Sequence, residues 1–201
     1  MGDALLPRRM LEAGPLPRGR IGRLEGTPGV RLKEITGFAA AMIVARKGQA
    51  QSTAARLTAA LGVVVEDGPK RSASGDRCIA GIAPGQWLAV KRDSVDWDLA
   101  QKLATALDGA AAVTAQGHGR IIVEVSGPRA RAALAKGIPV DLHPGVFGVG
   151  AVAQTTAGHI GVGVALLEEG PTFELISNAS TRVSLITWLV LAAAEFGLEV
   201  V

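Results

Sequence analysis

The sequence predicts an α+β chain built of two fused ferredoxin-like split βαβ units behind an extended N-terminal arm. Three observations carry this. Proline and glycine crowd residues 1–31; a β-α-β-β-α-β order runs from Phe38 to Ala115; and a similar run of strands and helices fills the remainder. The expected divisions are a flexible arm over 1–31 and a body over 32–201, itself split into 32–116 and 117–201.

With 201 residues, 48 % of them hydrophobic and 19 % charged, the chain can bury a sizeable core. Aromatics are 3 % and tyrosine is absent, so Ala, Val, Leu and Ile must fill that core. In the arm, Pro7, Pro15, Pro17 and Pro28 lack a backbone donor, and its glycines raise the entropy cost of ordering. No helix or strand of length is expected there. The net charge of +3 also sits there: Arg8, Arg9, Arg18, Arg20, Arg23 and Arg31 face only Asp3, Glu12 and Glu25. Taken from the totals of 21 basic and 18 acidic residues, these leave 15 of each for the body. Two readings of the arm stand: a disordered terminus, or a segment lying along a partner protein with its arginines reaching acidic groups. Removing residues 1–28 should leave the melting temperature of the body nearly unchanged but weaken assembly.

The body is punctuated regularly. Phe38–Ala45 reads as a buried strand ended by Arg46-Lys47-Gly48. Gln49–Leu61 places Ala50, Ala54, Leu57 and Leu61 on one helical face and stops at Gly62. A loop holding Gly68-Pro69 and Ser72–Asp76 follows. Cys78–Ile82 and Gln86–Val90 flank Pro84-Gly85, a turn pair, and form a hairpin. Val95–Leu107, with Val95, Leu99, Leu103 and Leu107 spaced by four, is a second helix, and Ala110–Ala115 a strand. Beyond Gln116–Gly119, Arg120–Val125 is a strand and Ser126-Gly127-Pro128 opens a helix continuing over Ala130–Ala135. Residues 137–150, rich in Gly and Pro, make a long connection. Val149–Thr156 and Ile160–Leu167 pair around Ala157-Gly158-His159, and Thr172–Ile176 adds a strand. The last helix starts at Asn178 or Ser180 and runs to about Phe196, with Val183, Ile186, Leu189, Val190 and Ala193 on one face.

A search for chemistry singles out no catalytic, cofactor-binding or metal-ligating residue. His118, His143 and His159 show no His-x-x-x-His or His-Glu-x-x-His spacing and read as exposed turn residues. Cys78 stands alone in a strand and reads as a small core residue. Gly158-His-Ile-Gly-Val-Gly163 lies in a hairpin and opens no helix, so flexibility of the strand is expected rather than a dinucleotide cradle. Ser126-Gly127-Pro128 offers a possible anion site at a helix start, although Pro128 removes a donor. Glu168-Glu169 lies at a strand end, and Asp93, Asp96 and Asp98 enter a helix N-terminus, where the dipole favours negative charge. The body shows no basic clustering with aromatics of the kind nucleic acid requires. The apolar run Val183–Ala194 is too short for a bilayer. With no secretory start and a single cysteine, a cytoplasmic protein is expected, without nucleic-acid or membrane partners.

Several stretches carry a resemblance: Gly29–Glu34; Ala83-Pro-Gly-Gln-Trp-Leu-Ala-Val90; Val125–Gly137 with Lys136-Gly137, joined to Asp141-Leu-His-Pro144, Phe147 and Gly150–Thr155; Thr172–Leu175; and the helix holding Trp188. Together they resemble the gamma subunit of heterotetrameric sarcosine oxidases over roughly 29–197. Ile138 stands where that family often has cysteine, and Ala83 replaces a usual glycine. The resemblance implies a fold similar to the folate-binding domain of aminomethyltransferases. It also implies alpha, beta and delta partner subunits holding FAD, FMN and NAD, which oxidise sarcosine to glycine and pass the one-carbon unit to tetrahydrofolate. This chain would be structural, with no cofactor of its own. The arm and the long connection would be the parts that meet partners. Two alternatives stay open: the matching subunit of another N-methyl amino acid demethylase, and a stand-alone folate-dependent aminomethyltransferase-like protein.

Overall fold

The computed structural model describes residues 16–93 and 98–201, and these form two compact units. One holds residues 36–120 with 150–152, and the other holds 16–35, 121–149 and 153–201. From the N-terminus the strands and helices begin β1 (Gly19–Ile21), β2 (Val30–Ile35), β3 (Ala39–Ala45), α1 (Ala50–Leu61), β4 (Arg71–Ser74), β5 (Arg77–Ala83), β6 (Gln86–Lys91), α2 (Leu99–Ala106) and β7 (Ala111–Ala115). They continue with β8 (Arg120–Ser126), α3 (Ala130–Leu134), β9 (Val152–Ala157), β10 (Ile160–Glu168), β11 (Thr172–Asn178), α4 (Arg182–Ala193) and β12 (Leu198–Val200).

The 36–120 unit is a five-stranded sheet in the order β4-β5-β6-β3-β7. Alternation along β3, β5 and β6 sends Ala41, Ile43, Ile79, Trp87 and Ala89 into one core with Ala54, Leu57 and Leu61 of α1 and Leu99 and Leu103 of α2. Helix α1 ends where Gly62 turns left-handed (φ 70°) and its N–H reaches the Thr58 carbonyl. Val95 and Asp96, expected at the start of the second helix, lie outside the described residues. Strand β4 falls in a stretch read as loop; its polar Ser72 and Ser74 hide a strand formed only by pairing with β5.

The other unit is a seven-stranded sheet in the order β1-β12-β2-β8-β11-β10-β9. Its run β9-β10-β11-β8 parallels β4-β5-β6-β3 of the first sheet, but β2 is inserted between β8 and the last strand. Strand β2 pairs antiparallel with β8 and parallel with β12. The division between units therefore does not fall simply near residue 116: residues from the start of the chain complete the second sheet.

The same observation corrects the arm. Residues 16–31 carry β1, antiparallel to β12, and the start of β2, with Leu16, Ile21 and Val30 buried. Three of their arginines turn back on their own unit. Arg20 donates to the Gly26 carbonyl (2.7 Å), Arg23 to that of Glu25 (3.4 Å), and Arg31 pairs with Glu199 (2.8 Å). Backbone pairing and three apolar anchors outweigh the entropy of Gly and Pro. Residues 1–15 of the arm lie outside the described residues.

Helix α4 continues through single 3₁₀ turns at both ends, giving a helical stretch over Ala179–Phe196. At 18 residues and mean hydropathy 1.2 it reaches the length and apolarity of a membrane span, which corrects the expectation that the run is too short. Its apolarity has a use within the unit: Leu185, Ile186, Leu189, Val190, Ala192 and Ala193 are all buried.

Candidate functional site

A two-pronged, mostly buried ion pair lies at the N-terminus of α4. Arg182, its first residue, donates Nε–H and Nη2–H to the two carboxylate oxygens of Glu34 in β2, each at 2.6 Å. The side chains are 21 % and 11 % exposed, and the Leu16 backbone N–H adds a bond to Glu34 Oε2 at 3.2 Å. A cation at a helix N-terminus opposes the dipole, and the Glu34 carboxylate supplies the negative charge that end prefers. Hydrogen bonding to Glu34 raises the Arg182 pKa, burial opposes this, and charge attraction adds to it. A raised value for a cationic group means its stabilisation is complete below the ordinary arginine range and is lost only in strong alkali. Replacing Arg182 with Met is expected to cost about 2 kcal/mol. That is below the ~3–5 kcal/mol of a fully buried broken pair because water reaches both groups. A denaturant titration with the Glu34→Gln, Arg182→Met cycle checks it, and additive single losses would remove the pair as the cause.

The connection over 137–150, which bears the most specific motif residues, is held by two cations and a tryptophan. Arg131 of α3 lies 5.2 Å over the Phe173 ring and donates to the Leu142 carbonyl and to Glu169. Lys136 reaches the Ala192 carbonyl at 2.6 Å and Glu195 at 2.5 Å, and sits 4.7 Å over the Phe196 ring. A cation there complements the C-terminal end of α4. Gly137 and Gly158 both face the Trp188 indole, and a Cβ would stand 2.7 Å and 2.4 Å from it. Their backbones meet directly, with the Gly158 N–H donating to the Gly137 carbonyl at 3.1 Å.

The residues weighed for chemistry are scattered. His118, His143 and His159 are all exposed. His143 bonds locally: its N–H donates to Asp141 Oδ1 (2.9 Å), and its Nδ1 accepts from the Gly145 N–H (3.1 Å). Gly158 and His159 both take positive φ, as a two-residue hairpin turn between β9 and β10 requires. Two of the three glycines of this hairpin serve close packing: Gly158 admits Trp188, and Gly163 admits the Gln154 amide, 2.8 Å from where a Cβ would be, while Gly161 has nothing within 4 Å. Cys78 is buried in β5. The possible anion site at Ser126-Gly127-Pro128 is filled by the chain itself: Gly127 N–H donates to Pro171, Arg129 N–H to Gly29 and Ala130 N–H to Gly127. Glu168 accepts from the Thr172 hydroxyl (2.9 Å) and Glu169 faces Arg131, so this acidic pair is occupied structurally. Among the described residues no group of three His, Cys, Asp or Glu side chains gathers as metal ligands.

Sequence reasoning missed the Glu34–Arg182 pair and the clamp made by Arg131. The pair joins residues 148 apart, and no local spacing announces it. Arg131 lies inside the motif that carried the resemblance, and that is its one legible signal.

Residues 47–195 match the sarcosine oxidase gamma subunit family. "Sarcosine oxidase subunit gamma" of Corynebacterium sp. (strain P-1) is 33 % identical over 120 residues, 59 % of this chain and 57 % of that protein. The protein of the same name from Arthrobacter sp. is 32 % identical over 145 residues, 71 % of this chain and 70 % of its own length. Among solved structures, heterotetrameric sarcosine oxidase from Corynebacterium sp. U-96, in complex with pyrrole 2-carboxylate, matches with a TM-score of 0.76 and 25 % identity, covering 86 % of this chain and 87 % of the matched one. The glycine cleavage system aminomethyltransferase T of Bartonella henselae shares the fold at a TM-score of 0.62 and 14 % identity, over 87 % of this chain and 48 % of its own. By the family match and the Arthrobacter relative together, the chain belongs to the sarcosine oxidase gamma subunit family.

Proposed function

We propose that this chain is the accessory gamma subunit of a cytoplasmic heterotetrameric sarcosine oxidase, held against alpha, beta and delta subunits. In this reading the companions bind FAD, FMN and NAD, oxidise sarcosine to glycine and pass the one-carbon unit to tetrahydrofolate. The chain contributes structure rather than a reacting group. The observation that carries the reading is the match, across most of both chains, to a chain of a heterotetrameric sarcosine oxidase. The internal use of the polar groups supports it: Arg131, Lys136, Glu169 and Arg182 all brace the chain's own strands and helices.

The test is to express the chain alone and with its companions. The isolated chain is expected to be colourless, and the co-expressed one to elute in a single flavin-bearing complex that turns over sarcosine. A yellow isolated chain with stoichiometric flavin would contradict the assignment. The fold shared with an aminomethyltransferase favours one second reading, a chain that binds folate by itself. A tetrahydrofolate titration of the isolated chain separates the two: no heat signal is expected, and saturable binding would favour the second.

A further inference from the structure

We infer that Asp108-Gly109, in the turn between α2 and β7, is a site of spontaneous conversion to isoaspartate, with Arg56 favouring the isomerised product. The conversion is independent of the accessory-subunit reading. The 36–120 unit carries two Asp-Gly sequences, Asp67-Gly68 and Asp108-Gly109. A glycine after an aspartate has no Cβ to shield its amide nitrogen from the side-chain carboxyl, so both sequences are open to cyclisation by composition. Their surroundings in the fold are opposite.

At the first, Asp67 Oδ1 accepts from the Gly85 N–H at 2.6 Å. The Gly68 carbonyl oxygen is packed against β5, 1.8 Å from where a Cβ of Gly81 would stand, and accepts from the Lys70 N–H at 2.8 Å. That carboxylate must give up its bond before it can meet the Gly68 nitrogen. At the second, Asp108 and Gly109 are both exposed. Among the described residues, neither the Asp108 carboxylate nor the Gly109 N–H has a hydrogen-bonding partner. Gly109 takes a left-handed φ of 74°, and nothing lies within 4 Å of its Cβ position. Nucleophile and electrophile are therefore adjacent, solvated and untied.

The Gly109 nitrogen attacks Asp108 Cγ. An N–Cγ bond forms, a Cγ–O bond breaks, and the displaced hydroxyl leaves as water with the amide proton. Water then reopens the cyclic imide at either carbonyl. Cleavage at Cγ restores aspartate. Cleavage at the main-chain carbonyl breaks its bond to the Gly109 nitrogen, routes the chain through Cγ and frees an α-carboxylate. No oxidant or reductant takes part, and the final mass is that of the starting chain.

Arg56 favours the second cleavage. Its Nη1–H donates to the Asp108 carbonyl oxygen at 2.8 Å, the atom that becomes part of the new carboxylate. A guanidinium holds an ionised oxygen more strongly than a neutral one. The added backbone carbon enters a turn whose next residue, Ala110, is buried and accepts at its carbonyl from the Arg46 N–H (2.8 Å) and the Thr53 hydroxyl (3.3 Å). The product is thus a local lesion in the 36–120 unit.

The experiment incubates the full chain at neutral pH, folded and in denaturant, and measures isoaspartate at each site by electron-transfer fragmentation of its peptides. In the folded chain, position 108 should accumulate it about tenfold faster than position 67, the factor set by the bond that Asp67 must first break. In denaturant the two rates should converge, because glycine follows both aspartates. Absence of isoaspartate at 108, or equal rates at the two sites in the folded chain, overturns the site. A gap that persists in denaturant overturns the fold as its cause. Arg56 is exposed, so Arg56→Met should leave the fold intact. That variant should form the imide, one water lighter, at the wild-type rate but yield a smaller share of isoaspartate. An unchanged share overturns the role of Arg56.

Discussion

Truncation of the chain through Pro28 is expected to destabilise the unit formed by 16–35, 121–149 and 153–201 by roughly 4–6 kcal/mol, enough to unfold a marginal domain. The cut removes Leu16 and Ile21, only 7 % and 9 % exposed. Each buried aliphatic side chain is worth about 1.5–3 kcal/mol. It also strips β12 of β1 across Gly19–Ile21 and removes the Arg23 N–H bond to the Ala194 carbonyl at 3.0 Å. The Leu16 N–H contact with the Glu34 carboxylate goes as well. This reverses the expectation drawn from composition alone, that the melting temperature of the body would be nearly unchanged without the segment. Denaturant unfolding of the truncated and full chains decides it, and coincident midpoints would show that 16–28 carries no stability. A sparing version is Ile21→Asp, which leaves the backbone in place and buries a charge.

Gly81→Ala should be among the most damaging single-methyl additions in the 36–120 unit, costing about 3 kcal/mol, the upper end of overpacking. A Cβ at Gly81 would stand 1.8 Å from the Gly68 carbonyl oxygen, a backbone atom that cannot swing away. The loop carrying Gly68 is stitched onto β5 and β6 on both sides of that point. Gly81 N–H donates to Lys70 (2.9 Å), the Trp87 indole N–H to Glu66 (2.9 Å), and Gly85 N–H to Asp67 Oδ1 (2.6 Å). Displacing the loop therefore disturbs Trp87, among the largest fully buried side chains. Gly148→Ala is the control, because nothing lies within 4 Å of its Cβ position and its φ is not left-handed. It should be neutral within about 0.5 kcal/mol, or slightly stabilising through the unfolded chain. Thermal melts of the two variants test the contrast, and a Gly81→Ala protein melting with wild type would mean the loop is not held on β5.

The legible parts of the fold were those with local periodicity. The face of α1 made by Ala54, Leu57 and Leu61 and the four-residue spacing of Leu99 and Leu103 both point into the core as their spacing requires. The β5–β6 and β9–β10 hairpins follow from short turns between apolar runs. Strand β2 went unread, although Val30 and Leu32 are buried while Arg31 and Lys33 are exposed, an alternation of period two. So did one of its neighbours. β12 is three residues long, and its parallel partner β2 lies at the other end of the chain. The candidate site was legible only through motif order: Lys136-Gly137, Asp141–Pro144 and Gln154 stood out as a series, with no indication of what each touches.

By itself, then, the sequence determined where the chain turns, which helical faces are apolar, that the class is α+β, and which family it resembles. Tertiary structure alone decided that residues 19–35 complete the second sheet and that Gly81, Gly137 and Gly158 make room for a carbonyl and an indole. It alone joined Glu34 to Arg182. Turn chemistry and hydrophobic period act over a few neighbouring residues, so a linear reading can see them. Strand insertion, close approach and ion pairing are settled by burial summed over residues far apart in the chain, and no local window contains that sum.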